Sequence, residues 1–300
     1  MRTHLFKRGI TLLFSLILTM ILSGCGQQTA THQNGKLKIV ATTNFYGEAA
    51  KAVVGNKGTV TSIINKPSMD PHDYEPTTNT AKKVSGADFI IANGLGYDSW
   101  MDKLANNSDD HQYIKVGERV MGLKKGVNPH IWYNPTMMKK FVTYFAKQLA
   151  KQQPQNKKYF EANAQKYIRS MKPIDNDIAK LQQIAKKSST KQVYVSEPIF
   201  DYSLQKMGFK VANPGFENAI EKGTDPSVKS IEAMQTGIQK GRIRFFVDNK
   251  QVTSTTVTNF VHMAKKHHIP VLKVTETQPA NETYVQWMNN QYQALIKQLQ

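Results

Sequence analysis

The sequence predicts an α/β protein of two lobes, each a parallel-type sheet flanked by helices, joined by a long helix. Three observations lead there. Short apolar runs alternate with amphipathic helical stretches along most of the chain, the pattern of strands buried on both faces and covered by crossover helices. The alternation stops at residues 154–187, which are helical in character nearly throughout and rich in Lys, Gln and Ala, with Pro173 placed to kink them. It then resumes with the same grammar. With 40% hydrophobic and 21% charged residues, a chain of 300 is long enough for two modest domains.

The first residues read as an export leader. Arg2, Lys7 and Arg8 precede an apolar run from Ile10 to Leu22, too short to span a bilayer as a mature helix. The run ends in Leu22-Ser23-Gly24-Cys25, small residues before the only cysteine, and so resembles a bacterial lipobox. Residues 1–24 are therefore expected to be a lipoprotein signal peptide and Cys25 the lipidated mature N-terminus. Residues 25–36, polar and without periodicity, are expected to be a flexible tether. A single cysteine excludes an intrachain disulfide framework and a cysteine-based metal site. Three basic and no acidic residues leave with the leader, so the formal charge of +18 becomes +15 in the mature chain. An exported protein seldom meets nucleic acid; the charge points to anionic lipid or cell-wall polymer and says little about a ligand.

The N-terminal lobe is expected at residues 37–153. Residues 38–42 form an apolar strand, and residues 45–54 a helix with Phe45, Ala49, Ala52 and Val53 on one face. A strand at 59–64 runs into Asp70-Pro71-His72-Asp73-Tyr74-Glu75-Pro76, ahead of a capped helix at 77–86. Proline on both sides restricts this backbone and holds one imidazole at a strand-to-helix turn, where open α/β sheets bind ligands. Residues 87–92 are a buried strand ended by Gly94-Leu95-Gly96, and residues 113–116 a weaker one. Asn128-Pro129-His130-Ile131-Trp132-Tyr133-Asn134-Pro135 repeats the earlier design, with Asn134 as N-cap and Pro135 opening a helix to residue 152. Met138, Phe141, Val142, Phe145 and Leu149 fall at helical spacing and belong to the core.

Residues 154–188 are the linking helix, and residues 189–300 the C-terminal lobe. Its strands at 192–196, 209–212, 243–247 and 271–275 alternate with helices at 199–207, 226–239, 255–267 and 284–299. Two of these strands end in carboxylates, Glu197 before Pro198 and Glu276 after Thr275.

His72, His130, Glu197 and Glu276 thus occupy equivalent places, in loops where buried strands end. If the lobes face each other across a cleft, two imidazoles and two carboxylates meet there. That donor set suits Mn²⁺, Fe²⁺ or Zn²⁺, whereas Ca²⁺ and Mg²⁺ prefer all-oxygen shells. Asp248 and Asn249, at another strand end, are reserve ligands. His262, His267 and His268, on or after a lysine-rich helix, and His111, beside Asp109 and Asp110, read as solvated.

The two histidine motifs, Asp70 to Pro76 and Asn128 to Pro135, resemble those of the metal-binding lipoproteins that serve as solute receptors for manganese and zinc ABC importers. The resemblance extends from the lipobox to the C-terminus. Ser196-Glu197 resembles the subset of that family with a carboxylate as third ligand. The fourth position, commonly aspartate in the family, holds Glu276 here. The long His- and acid-rich loop of many zinc receptors is absent, with only Asp109-Asp110-His111 in its place. The resemblance implies two α/β lobes on one rigid helix, His72, His130, Glu197 and Glu276 as metal ligands, and Mn²⁺ or Zn²⁺ as transported cargo. It further implies a lipid-anchored monomer on the outer face of the bacterial membrane, serving a permease and its ATPase, with no enzymatic activity. The alternatives are a metal-dependent hydrolase and a surface adhesin. Two histidines and a carboxylate make a catalytic zinc set, but the chain has no His-Glu-x-x-His helix.

Overall fold

The computed structural model describes residues 35–108 and 111–300. The expected signal peptide, Cys25 and nearly all of the tether, together with Asp109 and Asp110, lie outside the described residues.

The chain opens with β1 (Leu37–Thr43), α1 (Asn44–Val54), β2 (Gly58–Ile64), α2 (Thr78–Ser85), β3 (Phe89–Ala92), a short α3 (Trp100–Asn106), β4 (Gln112–Lys115) and α4 (Met137–Gln152). Two helices follow, α5 (Lys157–Ser170) and α6 (Lys172–Lys187). The second series is β5 (Gln192–Val195), α7 (Asp201–Met207), β6 (Lys210–Val211), α8 (Pro214–Glu221), α9 (Val228–Gln239), β7 (Phe246–Asn249), α10 (Thr255–Lys266), β8 (Val271–Val274) and α11 (Tyr284–Leu299).

Each series makes one four-stranded parallel sheet, in the orders β2-β1-β3-β4 and β6-β5-β7-β8. Ile39 lies in register with Val60 on one side and Phe89 on the other, and Val247 pairs with Leu272. All four residues of β3 are buried, as expected of a parallel strand covered on both faces. All strands of a sheet point the same way, so the loops after β2, β3 and β4 gather at one end of the first sheet. The loops after β5, β7 and β8 do the same in the second.

Several expectations are corrected. The single linking helix is two, broken at the buried Met171, with Pro173 in the first turn of α6, where its missing N–H has no partner to lose. The break decides where α6 starts rather than kinking a continuous rod. Asn134 does not cap α4: its side-chain oxygen accepts from the Thr136 amide (3.0 Å) and hydroxyl (2.9 Å) in the turn just before that helix. Strand β7 runs two residues past the expected 243–247, so that Asp248 and Asn249, expected at a strand end, are its last two residues. Helices α3 and α8 went unforeseen, and α8 matters below.

The two sheets share one continuous core. Ile39 and Phe89 of the first, and Val195, Val247 and Leu272 of the second, belong to the same apolar cluster, as do Trp132, Phe141, Trp287 and Tyr292. The seam is nailed by hydrogen bonds around one helical turn, Ile131–Tyr133. The Tyr133 hydroxyl donates to the Thr275 carbonyl (2.6 Å), and the Tyr284 hydroxyl to that of Trp132 (2.6 Å). Ser203 donates to the Tyr133 carbonyl (2.7 Å). His130, directly before this turn, is thereby fixed to both sheets.

Candidate metal centre

The two Pro-His loops use one local device twice. The Asp70 side chain accepts from the backbone N–H of His72 (2.8 Å), and the Asn128 side chain from that of His130 (2.9 Å). Asp and Asn do this because a short side-chain acceptor reaches the amide two residues on. Proline between them, with its fixed φ, stiffens the turn.

His130 is fully buried. The Asn128 amide is oriented by two backbone groups of opposite sense: its oxygen accepts the His130 N–H, and its nitrogen donates to the Pro198 carbonyl (2.6 Å). That same oxygen lies 2.9 Å from His130 Nδ1, so Nδ1 carries the proton and Nε2 presents a lone pair. Burial holds the imidazole neutral, its pKa lowered to about 4. Below the loop, buried Asn93 donates to the Pro129 carbonyl (2.9 Å), and Asp98 accepts from Thr42 (2.6 Å) and from the amides of Asn93 (2.7 Å) and Gly94 (2.9 Å). Gly94 has φ of +77° and a side chain there would strike Glu118, so only glycine fits.

His72 sits at the mouth, its side chain 34% exposed and its ring edge-on to Tyr97 at 4.6 Å. Burial lowers its pKa, with Glu276 opposing. The Nε2 atoms of both histidines face the same two carboxylate oxygens. Glu276 Oε1 lies 3.7 Å from His72 Nε2 and 3.8 Å from His130 Nε2; Glu221 Oε1 lies 3.6 Å and 3.7 Å from them. Ligand atoms around one tetrahedral ion with bonds of about 2.1 Å stand roughly 3.4 Å apart. One ligand atom each from His72, His130 and Glu276 falls within a mutual 4.8 Å. Among the described residues, His130 Nε2 and Glu276 Oε1 are buried without a hydrogen-bond partner, an arrangement that a cation between them would satisfy.

Three of the four expected residues therefore converge, and Glu197 stands beside them. Its Oε2 accepts from Asn249 Nδ2 (2.8 Å), and it lines a cleft of about 320 Å³ with Asp70, Asn249, Gln251 and Glu276. The place nearest the imidazoles belongs instead to Glu221, the last residue of α8. Asn213-Pro214 before Phe216 and Ile220 is a helix-start signal with apolar spacing, and Gly223 a stop; together they could have revealed this helix and its terminal carboxylate. Asp248 is not part of the site: the charges acting on it are Lys273 and Lys265. His262, His267 and His268 are exposed on or after α10, and His111 packs near Tyr113.

Burial raises the carboxylates, Glu197 and Glu221 each to about 7, with neighbouring carboxylates adding to both. Glu276 is raised by burial too, against the pull of His72. Neutral imidazoles and carboxylates awaiting a positive charge are the chemistry of a cation receptor.

Two parallel sheets whose loop ends enclose such a cluster define a solute-binding protein of the cleft type. The chain belongs to the family described as "Zinc-uptake complex component A periplasmic" (ZnuA), whose model matches residues 39–298. Among curated relatives it is 30% identical over 240 residues to the iron ABC transporter substrate-binding lipoprotein MtsA of Streptococcus pyogenes serotype M1, covering 75% of this chain and 77% of that one. It is 26% identical over 223 residues to the manganese-binding lipoprotein MntA of Halalkalibacterium halodurans, covering 72% and 73%. The same fold appears in the Mn-bound periplasmic metal binding protein from Candidatus Liberibacter asiaticus (TM-score 0.70, 19% identity, 88% of this chain and 100% of that one). It also appears in the Ni²⁺ complex of FpvC from Pseudomonas aeruginosa (TM-score 0.70, 20% identity, 88% and 97%).

Proposed function

We propose that this chain captures a divalent first-row transition ion, Mn²⁺ or Zn²⁺, outside the cell and hands it to an ABC permease. The observation that carries the reading is the convergence of one ligand atom each from His72, His130 and Glu276 within a mutual 4.8 Å, with Glu221 Oε1 3.6 Å and 3.7 Å from the two imidazoles. His72, His130 and Glu276 are the ligands, Glu221 completes the set, and Glu197 stands in reserve on Asn249. Two nitrogens and two carboxylate oxygens suit manganese, although zinc binds such a set more tightly in vitro. Binding dehydrates and encloses the ion, and no reaction follows. Cys25 carries the lipid that holds the mature chain at the membrane. Residues 37–153 and 189–300 act as the two lobes, joined through 154–188. Among the described residues no helix is long and apolar enough to cross a membrane.

Native mass spectrometry of the full chain with Mn²⁺ and with Zn²⁺ tests the proposal. The expected result is one ion per chain, removed by chelator and lost in His130→Ala. Retention of the ion in a His72, His130 double-alanine variant would move the site elsewhere and overturn the reading.

A further inference from the structure

The His130 and His72 loops are held to the second half of the molecule in very different ways. The His130 segment is held by five bonds, buried or part-buried: Asn128 to Pro198, Tyr202 to the Asn128 carbonyl (2.8 Å), and the tyrosine and serine contacts around Ile131–Tyr133. Among the described residues, the hydrogen bonds joining the His72 loop to the second half both end on one atom, the Pro67 carbonyl oxygen. Gln251 Nε2 donates to it at 2.7 Å and Thr277 Oγ1 at 2.9 Å.

Gln251 uses its whole amide in this arrangement. Its nitrogen also donates to Thr277 Oγ1 (2.7 Å), and its oxygen accepts the backbone N–H groups of Glu276 (2.7 Å) and Thr277 (3.1 Å). Two donors and two acceptor positions are all that a primary amide offers. Its own backbone N–H goes to Asn249 Oδ1 (3.1 Å), on the residue that holds Glu197. One exposed side chain thus ties the loop bearing His72 to the loop bearing Glu276, at the rim of the cleft.

We propose that Gln251 is a positioning residue that fastens the His72 loop against the Glu276 loop and so sets the rate at which a bound divalent cation leaves. This rests on the proposed function. His130, locked on both sides, is the fixed wall of the site, and His72 is the wall that swings. Rim hydrogen bonds exposed to water exchange readily for solvent, so the fastening is reversible where a buried one is not. Thr277 shares the Pro67 carbonyl and is the secondary fastener.

The test compares the wild-type full chain with Gln251→Ala and Thr277→Val, using Mn²⁺ alone as probe. Stopped-flow chelator chase reads dissociation, and metal mixing reads association. Gln251→Ala is expected to speed Mn²⁺ dissociation about tenfold, the size of one net hydrogen bond, with association and stoichiometry unchanged. Thr277→Val is expected to move dissociation the same way by less. An unchanged dissociation rate would overturn the proposal, as would loss of stoichiometry or slowed association, the marks of general disruption. Hydrogen exchange on the metal-free protein supplies a separate arm: amides after Pro67 in the His72 loop should exchange faster in Gln251→Ala, and equal exchange also counts against the fastening. If the wild type holds neither Mn²⁺ nor Zn²⁺, the proposed function fails, and the exchange arm still decides whether Gln251 fastens the loop.

Discussion

His130 Nε2 and Glu276 Oε1 lie 3.8 Å apart, both buried and, among the described residues, both without a hydrogen bond. The separation is too long for a shared proton and close to that of two ligands on one ion. The two residues come from opposite sheets and are 146 positions apart in the chain, so the relationship exists only once both sheets are packed.

The two histidines should separate binding from stability. His72, partly exposed in a loop, loses little packing on truncation, so His72→Ala is expected to remove most of the metal-dependent rise in melting temperature while leaving the metal-free value nearly unchanged. His130 is wholly buried, so His130→Ala should also cost the metal-free protein about 2 kcal/mol or more through the cavity it leaves. Calorimetry with and without Mn²⁺ measures both.

The carboxylates should rank by position. Glu221→Gln and Glu276→Gln are each expected to weaken Mn²⁺ binding by about tenfold or more, since each removes a charge facing both imidazoles at nearly constant shape. Glu197→Gln should cost less, because Glu197 is engaged with Asn249. Titration calorimetry on the three variants decides; the reverse order, with Glu197 dominant, would mean that the ion draws Glu197 across and that Glu221 is the bystander.

Asn128 fixes the tautomer of His130, so Asn128→Ala should lower metal affinity by about tenfold to a hundredfold without touching a ligand. Nitrogen-15 shifts of the His130 ring in the metal-free variant should show Nδ1 protonation becoming mixed. A ring still protonated only at Nδ1 would assign that control to another group.

The metal-free protein should lose stability as pH rises from about 6.5 to about 8. Glu197 and Glu221, raised to about 7, and Glu217, raised to about 8 by burial and then by Asp201 and Glu221, bind protons in the folded state that they have already released when unfolded. A raised carboxylate contributes its stability at low pH and loses it through the folded pKa. The lowered histidines act oppositely, but only below their ordinary value near 6.5, so they do not compensate in this window. Metal binding needs those carboxylates ionised; affinity should therefore fall as pH drops through about 7, with protons released on binding. Thermal melts in chelator across the window, and binding enthalpies in buffers of different ionisation heat, measure the two effects.

Most of the architecture was legible in local patterns. Apolar runs such as residues 38–42 and 87–92 marked strands, and residues 284–299 marked a helix whose bounds the structure repeats, because burial on both faces and helical periodicity are written residue by residue. The Pro-His loops were legible for the same reason: proline restricts φ locally, and an Asp or Asn two residues before a histidine binds its amide without help from the fold. His72, His130 and Glu276, picked out at strand ends, are brought within a mutual 4.8 Å by the fold. What the sequence by itself could not settle was the choice among carboxylates. Glu197 and Glu221 are chemically identical, and only packing places one on Asn249 and the other against two imidazoles. The break at Met171 and the tie from Gln251 to Pro67 belong to the same class. They depend on which surfaces meet across 184 residues of chain in the case of Gln251, and no local propensity encodes a contact made at that separation. Local sequence determined the elements and the loop chemistry; the meeting of two sheets decided which donors come together.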